Sequence, residues 1–470
     1  MSVRVAEPLR RRIENCYTIP MRILLVTNSA RGEAIADALV RSPQKPELIV
    51  CSTVKSPGFA KLATELHVMD IMSLAKIVDI GKAAKCDFAF VAPDDPIGAG
   101  LADRLEAAGI PCVAPKRNLA RIESSKSFAR ELMHKYGIDH NPRFRAFSLS
   151  SRDQRHSIEL DIRAYLEHEL HSQYVVKYDA LKGGKGVKVS GEHLMTIDSG
   201  AKYAMECLEE CGTVVIEEKL IGIEFSLMSF VSGTSVIDMP AVQDHKRADT
   251  GDMGPNTGGM GTYSDVSHGL PFLEPSDMQT ASEINKKVAA AIEQECGESY
   301  KGILYGGFIA TSDGVKVIEY NARFGDPEVL NVLPLLESDF VAICQAIITG
   351  NLTSEHVKFL PKATVCKYIV PKSYPVDKKE VGQKVMIPQE FPENSRIYFG
   401  DVHFDDTGNV LLGGSRSIGI VGIGDSIVEA EQVAQTVCEK IAGPVRFRSD
   451  IGTVDSIQKR VDLMHKLRAR

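Results

Sequence analysis

Short apolar runs alternate with amphipathic stretches from Met21 onward. Arg22–Val26 (RILLV), Glu47–Cys51 (ELIVC), Asp87–Val91 (DFAFV) and Pro111–Val113 read as strands, separated by helical spacing over Glu33–Val40, Ile71–Lys85 and Ile97–Ala108. Repeated βα units of this length predict a parallel sheet with helices on both faces. Ligands in such sheets sit beyond the C-terminal ends of the strands, where Thr27–Gly32 and Pro93–Gly98 fall.

The pattern changes at Ser124. A helical stretch, Ser124–Tyr136, precedes apolar runs at Tyr174–Lys177, Val187–Val189, Val214–Glu217, Glu224–Phe230 and Ser235–Met239. Asp244–Ser264 has no periodicity and is expected to be one long loop, a feature that is usually functional inside a compact domain. A helix over Asp277–Cys296 and strands at Ile303–Ala310 and Val315–Tyr320 follow. From about Lys362 the chain turns β-rich (Thr364–Ile369, Ser395–Phe399, Ser417–Val421), with a helix over Ile427–Ile441.

Composition narrows the class. A chain of 470 residues exceeds one hydrophobic core and suggests several domains. It is 44% apolar and 25% charged, the mix of a water-soluble globular protein. Lys plus Arg is 55 against 62 for Asp plus Glu, a net charge of −7, which leaves no electrostatic footprint for nucleic acid. No stretch approaches the roughly 18–20 apolar residues that span a bilayer. Arg10–Arg12 is not followed by the apolar run of a secretory signal, so residues 1–20 are expected to be an N-terminal extension. The ten cysteines are scattered, which suits a reducing cytoplasm. Cys207 and Cys211, four apart on an expected helix, lack partners at zinc-ligand spacing and are expected to pack as small apolar side chains.

Four segments carry candidate chemistry. In Lys177–Val187 (KYDALKGGKGV) two lysines frame a loop whose glycines let backbone N–H groups approach phosphate oxygens. The loop lacks the GK[ST] ending of a Walker A motif, and a surface turn explains it equally well. In Val317–Glu328 (VIEYNARFGDPE), Glu319 and Asn321 share one face of a strand and can hold Mg²⁺, with Arg323 continuing that face as a carboxylate or phosphate fork; the bland reading is an exposed polar edge. Asp244–Ser264 joins a charged cluster, DHKR, to PNTGGMG, whose amides can face a developing anion. His245 there is either a base or a hydrogen-bonding residue. Val215–Glu224 (VIEEKLIGIE) fits either a nucleotide-binding strand edge or a solvated acidic turn.

Taken in order, SSKSF, VVKYDALKGGKGVKV, VIEEKLIGIEFS, AVQDHKR, GPNTGGMGTYS, VIEYNARFGDPE and RSDIGT resemble the ATP-grasp ligases, and among them the phosphoribosylamine–glycine ligase (glycinamide ribonucleotide synthetase) family. The likeness runs from about Met21 to Thr453. It implies a multidomain α/β and α+β fold: an N-terminal Rossmann-like domain (21–120), a two-lobed ATP-grasp core (121–355, with a lid subdomain at about 133–215) and a small β-rich C-terminal domain (356–453), followed by a tail (454–470). It implies ATP contacts from Lys126, Lys177, Gly183, Gly184, Lys185 and Gly186, an adenine hinge at Glu217, Glu218 and Leu220, and Glu224 at the ribose. Glu319 and Asn321 would bind Mg²⁺ or Mn²⁺, with Arg323 and Asp244 catalytic. Asn28, Ser29, Arg31, Asp94, Lys246, Asn256, Thr257, Gly258 and Gly259 would bind substrate.

The implied reaction joins glycine to 5-phosphoribosylamine through a glycyl phosphate, with ATP as co-substrate. The implied partners are small molecules alone, with neither nucleic acid nor membrane, and the protein a cytoplasmic monomer or small homo-oligomer. The N-terminal loops depart from the family pattern: TNSARGEA (Thr27–Ala34) replaces a GNGGREHA-type loop, APDDP (Ala92–Pro96) a GPE-x-P stretch, APK (Ala114–Lys116) a GPT, and YDAL (Tyr178–Leu181) an ADGL. The alternative these departures leave is a carboxylate–amine ligase with a different amine or acid.

Overall fold

The computed structural model describes residues 20–182, 186–405 and 407–469. The residues that the sequence assigns to the N-terminal extension, 1–19, and three members of the Gly/Lys loop (Gly183, Gly184, Lys185) lie outside them.

Strands β1 (Arg22–Thr27), β2 (Glu47–Ser52), β3 (Glu65–Val68), β4 (Phe88–Val91) and β5 (Cys112–Val113) form a parallel sheet in the order β3-β2-β1-β4-β5. The central strands β1 and β4 are nearly continuous apolar runs because helices cover both faces. The strand order reverses between β1 and β4, which opens a crevice at their C-terminal ends. Helix α1 (Ala30–Val40) starts three residues before the expected Glu33, so Ser29 is its N-cap and Arg31 lies in its first turn. Helix α2 (Pro57–Leu62) and β3 were not anticipated; the signal for α2 was the Ser56–Pro57 pair, cap and first-turn proline together. After α3 (Leu74–Ala83), the expected helix over Ile97–Ala108 is instead α4 (Asp94–Gly98) and α5 (Leu101–Ala107), broken at Gly100, whose φ is +85°.

Short helix α6 (Arg121–Ser124) and α7 (Lys126–Lys135) lead into the lid subdomain. Its strands β6 (Phe144–Ser148), β7 (Tyr174–Tyr178), β8 (Val187–Val189) and β9 (Thr213–Glu218) pair antiparallel in the order β6-β9-β7-β8, against α8 (Arg155–Ala164) and α9 (Ile197–Cys211). Phe147, Ile162, Leu166, Tyr174, Met205 and Leu208 give this lobe a core separate from the main one. Cys207 packs in that core, and the Cys211 thiol donates to the Cys207 and Thr213 carbonyls.

The central lobe begins with β10 (Ile223–Ser232) and β11 (Ser235–Asp238). The expected loop Asp244–Ser264 is ordered into β12 (Gln243–Asp244), a hairpin of β13 (Arg247–Asp249) and β14 (Met253–Asn256), and β15 (Gly261–Ser264). Its sequence shows no alternation because the hairpin is held from outside. Arg446 donates to the Ala248 carbonyl (2.8 Å), Arg448 to the Arg247 carbonyl (2.9 Å), and Asp450 accepts the Gly251 N–H (3.0 Å). Strands β16 (Lys301–Thr311) and β17 (Gly314–Asn321) complete an antiparallel sheet, β11-β10-β16-β17, backed by α10 (Pro275–Cys296) and α12 (Phe340–Thr349), while α11 (Glu328–Val332) packs on β15.

The C-terminal region contains β18 (Ala363–Pro371), β19 (Lys384–Val385), β20 (Ser395–Phe399), β21 (Val402–Phe404), β22 (Val410–Leu412), β23 (Ile418–Gly424), α13 (Ile427–Glu439) and β24 (Val445–Arg446). Its main sheet runs β12-β15-β18-β23-β20, because β15 pairs with β18 (Gly261 opposite Lys367, Ser264 opposite Thr364). The hydrogen-bonded sheet thus crosses the expected boundary at residue 356. The expected tail 454–470 is instead helix α14 (Val454–Arg468). It is capped by Thr453, buries Met464, and is tied to α10 by Arg468–Asp277 bonds of 2.7 and 2.8 Å. Among the described residues no helix is long and apolar enough to cross a membrane.

Candidate active site

All three lobes and the N-terminal crevice open onto one cleft of about 1310 Å³. Lys126 opens α7, whose N-cap Ser125 accepts the Phe128 N–H (3.1 Å). Asp179, in the loop after β7, accepts the Ser127 N–H (2.9 Å) and O–H (2.6 Å), fixing the Gly/Lys loop to the helix end that carries Lys126. Lys177 is buried. Its ammonium donates to the Ile318 carbonyl (2.8 Å) and pairs with Glu217 (2.8 Å), which Arg130 grips from the other side at 2.6 and 2.9 Å. Burial pushes the Lys177 pKa down, with Glu217 opposing it in part; Glu217 itself is held below the usual carboxylate range because Arg130 and Lys177 outweigh its burial.

The Ile318 carbonyl is available because the β16–β17 register slips by one residue. Gly307 faces Glu319 and Phe308 faces Val317, so Ile318 has no partner strand residue. Beyond this bulge Glu319 and Asn321 reach the cleft wall. Burial opposes the Glu319 charge, yet Lys126, Lys246, Lys177 and Arg323 together bring its pKa down to about 2, so it is a carboxylate throughout the physiological range. The Asn321 Oδ1 accepts from Arg323 (3.1 Å). One ionised carboxylate and one amide oxygen form a partial oxygen shell that suits Mg²⁺ or Mn²⁺ shared with phosphate and water oxygens. The described residues hold no group of three His, Cys, Asp or Glu that would form a protein-only cage.

Across the cleft, Arg323 pairs with buried Glu123 (3.0 Å) and donates to the Phe324 carbonyl (3.1 Å), while its Nε is buried without a partner. Burial opposes its charge, but Glu123 and Asp94 hold the guanidinium charged. Asp94 and Arg31 join this cluster from the N-terminal domain. Arg31 donates to the Phe324 carbonyl (2.9 Å), and its buried Nε has no partner either. Asn28 and Ser29 line the same end of the cleft.

The PNTGGMG segment forms the floor. Thr257 donates its N–H and O–H to the Lys246 carbonyl (2.7 and 2.9 Å), and the Thr257 hydroxyl accepts the Gly259 N–H (3.0 Å). Gly259 has a φ of +112°, and a Cβ there would lie 2.6 Å from Asp244 Oδ1 and 2.7 Å from Pro327 Cδ, so only glycine fits. Asn256, Thr257, Gly258, Asp244 and Lys246 line the cleft, and Lys246 pairs with Glu224 (3.1 Å). His245 is buried with Nδ1 3.2 Å from the Gly261 carbonyl; burial and nearby Arg460 push its pKa down to about 3, leaving it neutral.

Not every expected residue reaches the main cleft. The Glu218 carboxylate turns outward to Arg143 (2.9 Å), and neither it, Leu220 nor Gly259 is part of the lining; Glu217 instead faces a small adjoining cavity with Arg130 and Lys177. Gly186 lines the cleft. Several contributors carried no motif. Arg416, before β23, donates to the Gly258 (2.7 Å), Gly259 (3.3 Å) and Asp326 (2.7 Å) carbonyls and clamps the glycine segment from the C-terminal region. Arg130, Glu123 and Glu328 were likewise missed.

Family models for phosphoribosylglycinamide synthetase match most of the chain: the N domain over residues 21–123, the ATP-grasp (A) domain over 124–329 and the C domain over 364–454. The chain belongs to the phosphoribosylglycinamide synthetase family. Relatives in this family, whose enzymes are ATP-dependent ligases, include the phosphoribosylamine–glycine ligase of Methanosarcina barkeri, 43% identical over 95% of this chain and 100% of that one. That of Methanopyrus kandleri is 40% identical over 95% and 99%. The crystal structure of phosphoribosylamine–glycine ligase from Thermotoga maritima has a TM-score of 0.76 at 28% identity, covering 92% of this chain and 100% of that one. A biotin carboxylase–beta-gamma-ATP complex from Campylobacter jejuni shares the fold (TM-score 0.70, 14% identity, 95% of this chain and 98% of that one covered).

Proposed function

We propose that this chain ligates glycine to 5-phosphoribosylamine at the expense of ATP, by way of a glycyl phosphate. The observation that carries the reading is the convergence on one cleft of two groups. Lys126, Lys177, Glu319 and Asn321 form a phosphate-handling wall, and Asp244, Arg323 and the PNTGGMG floor face it. The names of the relatives support the substrate pair.

Phosphoryl transfer needs positioning and charge neutralisation more than covalent help from the protein. Lys126 and Lys177 take the phosphate oxygens of ATP, and Glu319 with Asn321 hold Mg²⁺ or Mn²⁺, which when bound neutralises phosphate charge. An oxygen of the glycine carboxylate attacks the γ-phosphorus and ADP leaves. The amine nitrogen then attacks the acyl carbon, the C–O bond to phosphate breaks, and the amide forms. The acyl phosphate hydrolyses readily, so a lid lobe with its own core, able to close as a unit over the cleft, protects it from water. Arg31, Asn28 and Ser29 at the α1 N-terminus bind the phosphate of the amine substrate. Scattered free thiols support a cytoplasmic setting.

The test is ADP release with ATP, Mg²⁺, glycine and phosphoribosylamine generated in situ, each omitted in turn. ADP that requires glycine and the amine, with a product of glycinamide ribonucleotide mass, is the expected result. Full ADP release with another acid or amine, and none with this pair, refutes the assignment in favour of a sister ligase.

A further inference from the structure

Among the cleft's carboxyl groups that form no ion pair with a cation of the protein are Asp244 and Glu328. Asp244, on β12, accepts the His245 N–H (2.7 Å), and Glu328, opening α11, accepts the Tyr305 O–H (2.9 Å). Among the described residues neither has another hydrogen bond or an ion pair, although 32 ion pairs are formed elsewhere, Asp326 beside them included. Both line the one cleft, and glycines leave room for them. Asp244 Oδ1 and Pro327, which precedes Glu328, both crowd the Cβ position of Gly259, and Glu328 Oε2 lies 2.2 Å from the Cβ position of Gly325. Everything else that faces them is accounted for. Lys246 is engaged with Glu224, Arg416 with Asp326 and backbone carbonyls, and Arg323 with Glu123; Tyr305 is a donor whose ionisation burial pushes up.

We propose that Asp244 and Glu328 act as one proton-holding pair, Asp244 taking the proton that the substrate amine releases during attack and Glu328 tuning it. The inference rests on the acyl-phosphate reading above. In that step the amine N–C bond forms, the C–O bond to phosphate breaks with its electron pair going to the leaving phosphate, and one N–H proton passes to the Asp244 carboxylate. Two carboxyls in one cleft, Glu328 buried and Asp244 half-buried, do not both ionise easily when their charges interact, so the second ionisation of the pair is pushed upward. Burial first, then Glu328, raises Asp244 well above the usual carboxylate range, with Lys246 and Arg416 opposing. A base so raised is matched to a proton released near neutral pH. Glu328 acts through Asp244 and is a positioning residue.

The two half-reactions separate the pair from the rest of the site. Hydroxylamine traps glycyl phosphate as glycine hydroxamate and reports the first step without the amine. In Asp244→Asn, ligation should fall about 10²–10⁴-fold, the usual range for a lost general base, while hydroxamate formation falls far less. In Glu328→Gln, the acid limb of the pH profile for kcat/KM of the amine should move down by at least one pH unit. Equal loss of hydroxamate and ligation in Asp244→Asn, or an unmoved acid limb in a folded Glu328→Gln, overturns the pair. Tyr305→Phe, which removes only a donor, should shift the limb upward if Glu328→Gln proves unstable; no shift there is equally fatal. A wild-type enzyme that makes the ligated product yet no glycine hydroxamate refutes the acyl phosphate itself, a failure distinct from the others.

Discussion

Replacing Gly259 with alanine adds one methyl group at the point where the glycine segment meets the Asp244 carboxylate. The new Cβ would lie 2.6 Å from Asp244 Oδ1 and 2.7 Å from Pro327 Cδ, against 3.4–4 Å for ordinary contact, so about 1 Å must be recovered. Neither neighbour yields freely: the proline ring is rigid, and Asp244 is held by the His245 N–H. The backbone, at a φ of +112°, adds a conformational cost of about 1–3 kcal/mol. A displacement of about 1 Å at a reacting group costs on the order of 10²-fold in rate. The expected outcome is a kcat/KM for the amine reduced about 10²-fold, with the KM for ATP little changed because Lys126, Lys177 and Glu319 sit on other elements. Initial rates of ADP release, with each substrate varied in turn, give these values. Gly350→Ala is the control: its φ is +78° but a Cβ there meets nothing, so it isolates the backbone cost. A Gly259→Ala enzyme with wild-type rates, or one whose loss matches Gly350→Ala, refutes the steric coupling of this loop to Asp244.

Four further outcomes are expected. Glu217→Ala leaves Arg130 and Lys177 buried without their carboxylate, so urea unfolding should show a loss of about 3–5 kcal/mol; a loss under about 1 kcal/mol contradicts the buried triad. Glu319→Ala should abolish metal-dependent ADP release while the melting temperature stays near wild type, and undiminished ADP release removes Glu319 from the metal site. Arg31→Ala should raise the KM for the phosphorylated amine more than that for ATP; equal effects count against a phosphate site there. Glu33 is buried between Ser56, Gly58 and Phe399, and burial, against those hydrogen bonds, pushes its pKa up to about 7. The folded state then holds a proton that the unfolded chain loses near pH 4.5. Its stability contribution is full below pH 4.5 and is lost as pH rises to 7, about 3 kcal/mol in all. Melting curves of Glu33→Gln should lack that part of the wild-type decline, and parallel pH profiles would show the carboxyl to be unperturbed.

The buried strands were legible because a parallel sheet covered on both faces leaves unbroken apolar runs, as in β1 and β4. The glycine-rich segments and the acid–amide pair Glu319 and Asn321 were legible because their chemistry is local in sequence. What escaped is long-range. Arg31 meets Phe324 across 293 positions, Arg416 meets Gly258 across 158, and Arg130 meets Glu217 across 87, with no periodicity to announce any of them. The β13–β14 hairpin escaped because its order comes from Arg446, Arg448 and Asp450, not from its own Arg-Ala-Asp and Met-Gly-Pro-Asn strands. The bulge at Ile318 was invisible for a related reason: a register slip is a property of two strands, and VIEYN alone reads as regular. Glu217 and Glu218 are neighbours in sequence, yet Arg130 meets one and Arg143 the other, and nothing in VIEEKL announces either partner.

Strand β15 lies before residue 356 and its neighbour β18 after it, so the β12-β15-β18-β23-β20 sheet is complete on neither side of that point. The exposed residues Thr353–Glu355 are nevertheless a simple place to interrupt the chain. A gene divided there would yield two polypeptides, each with a bare apolar strand edge and each prone to aggregate when made alone. Produced together, they carry complementary edges whose pairing restores the floor beneath Asp244, which makes this segment a natural seam for a two-fragment enzyme whose activity reports that its halves have met.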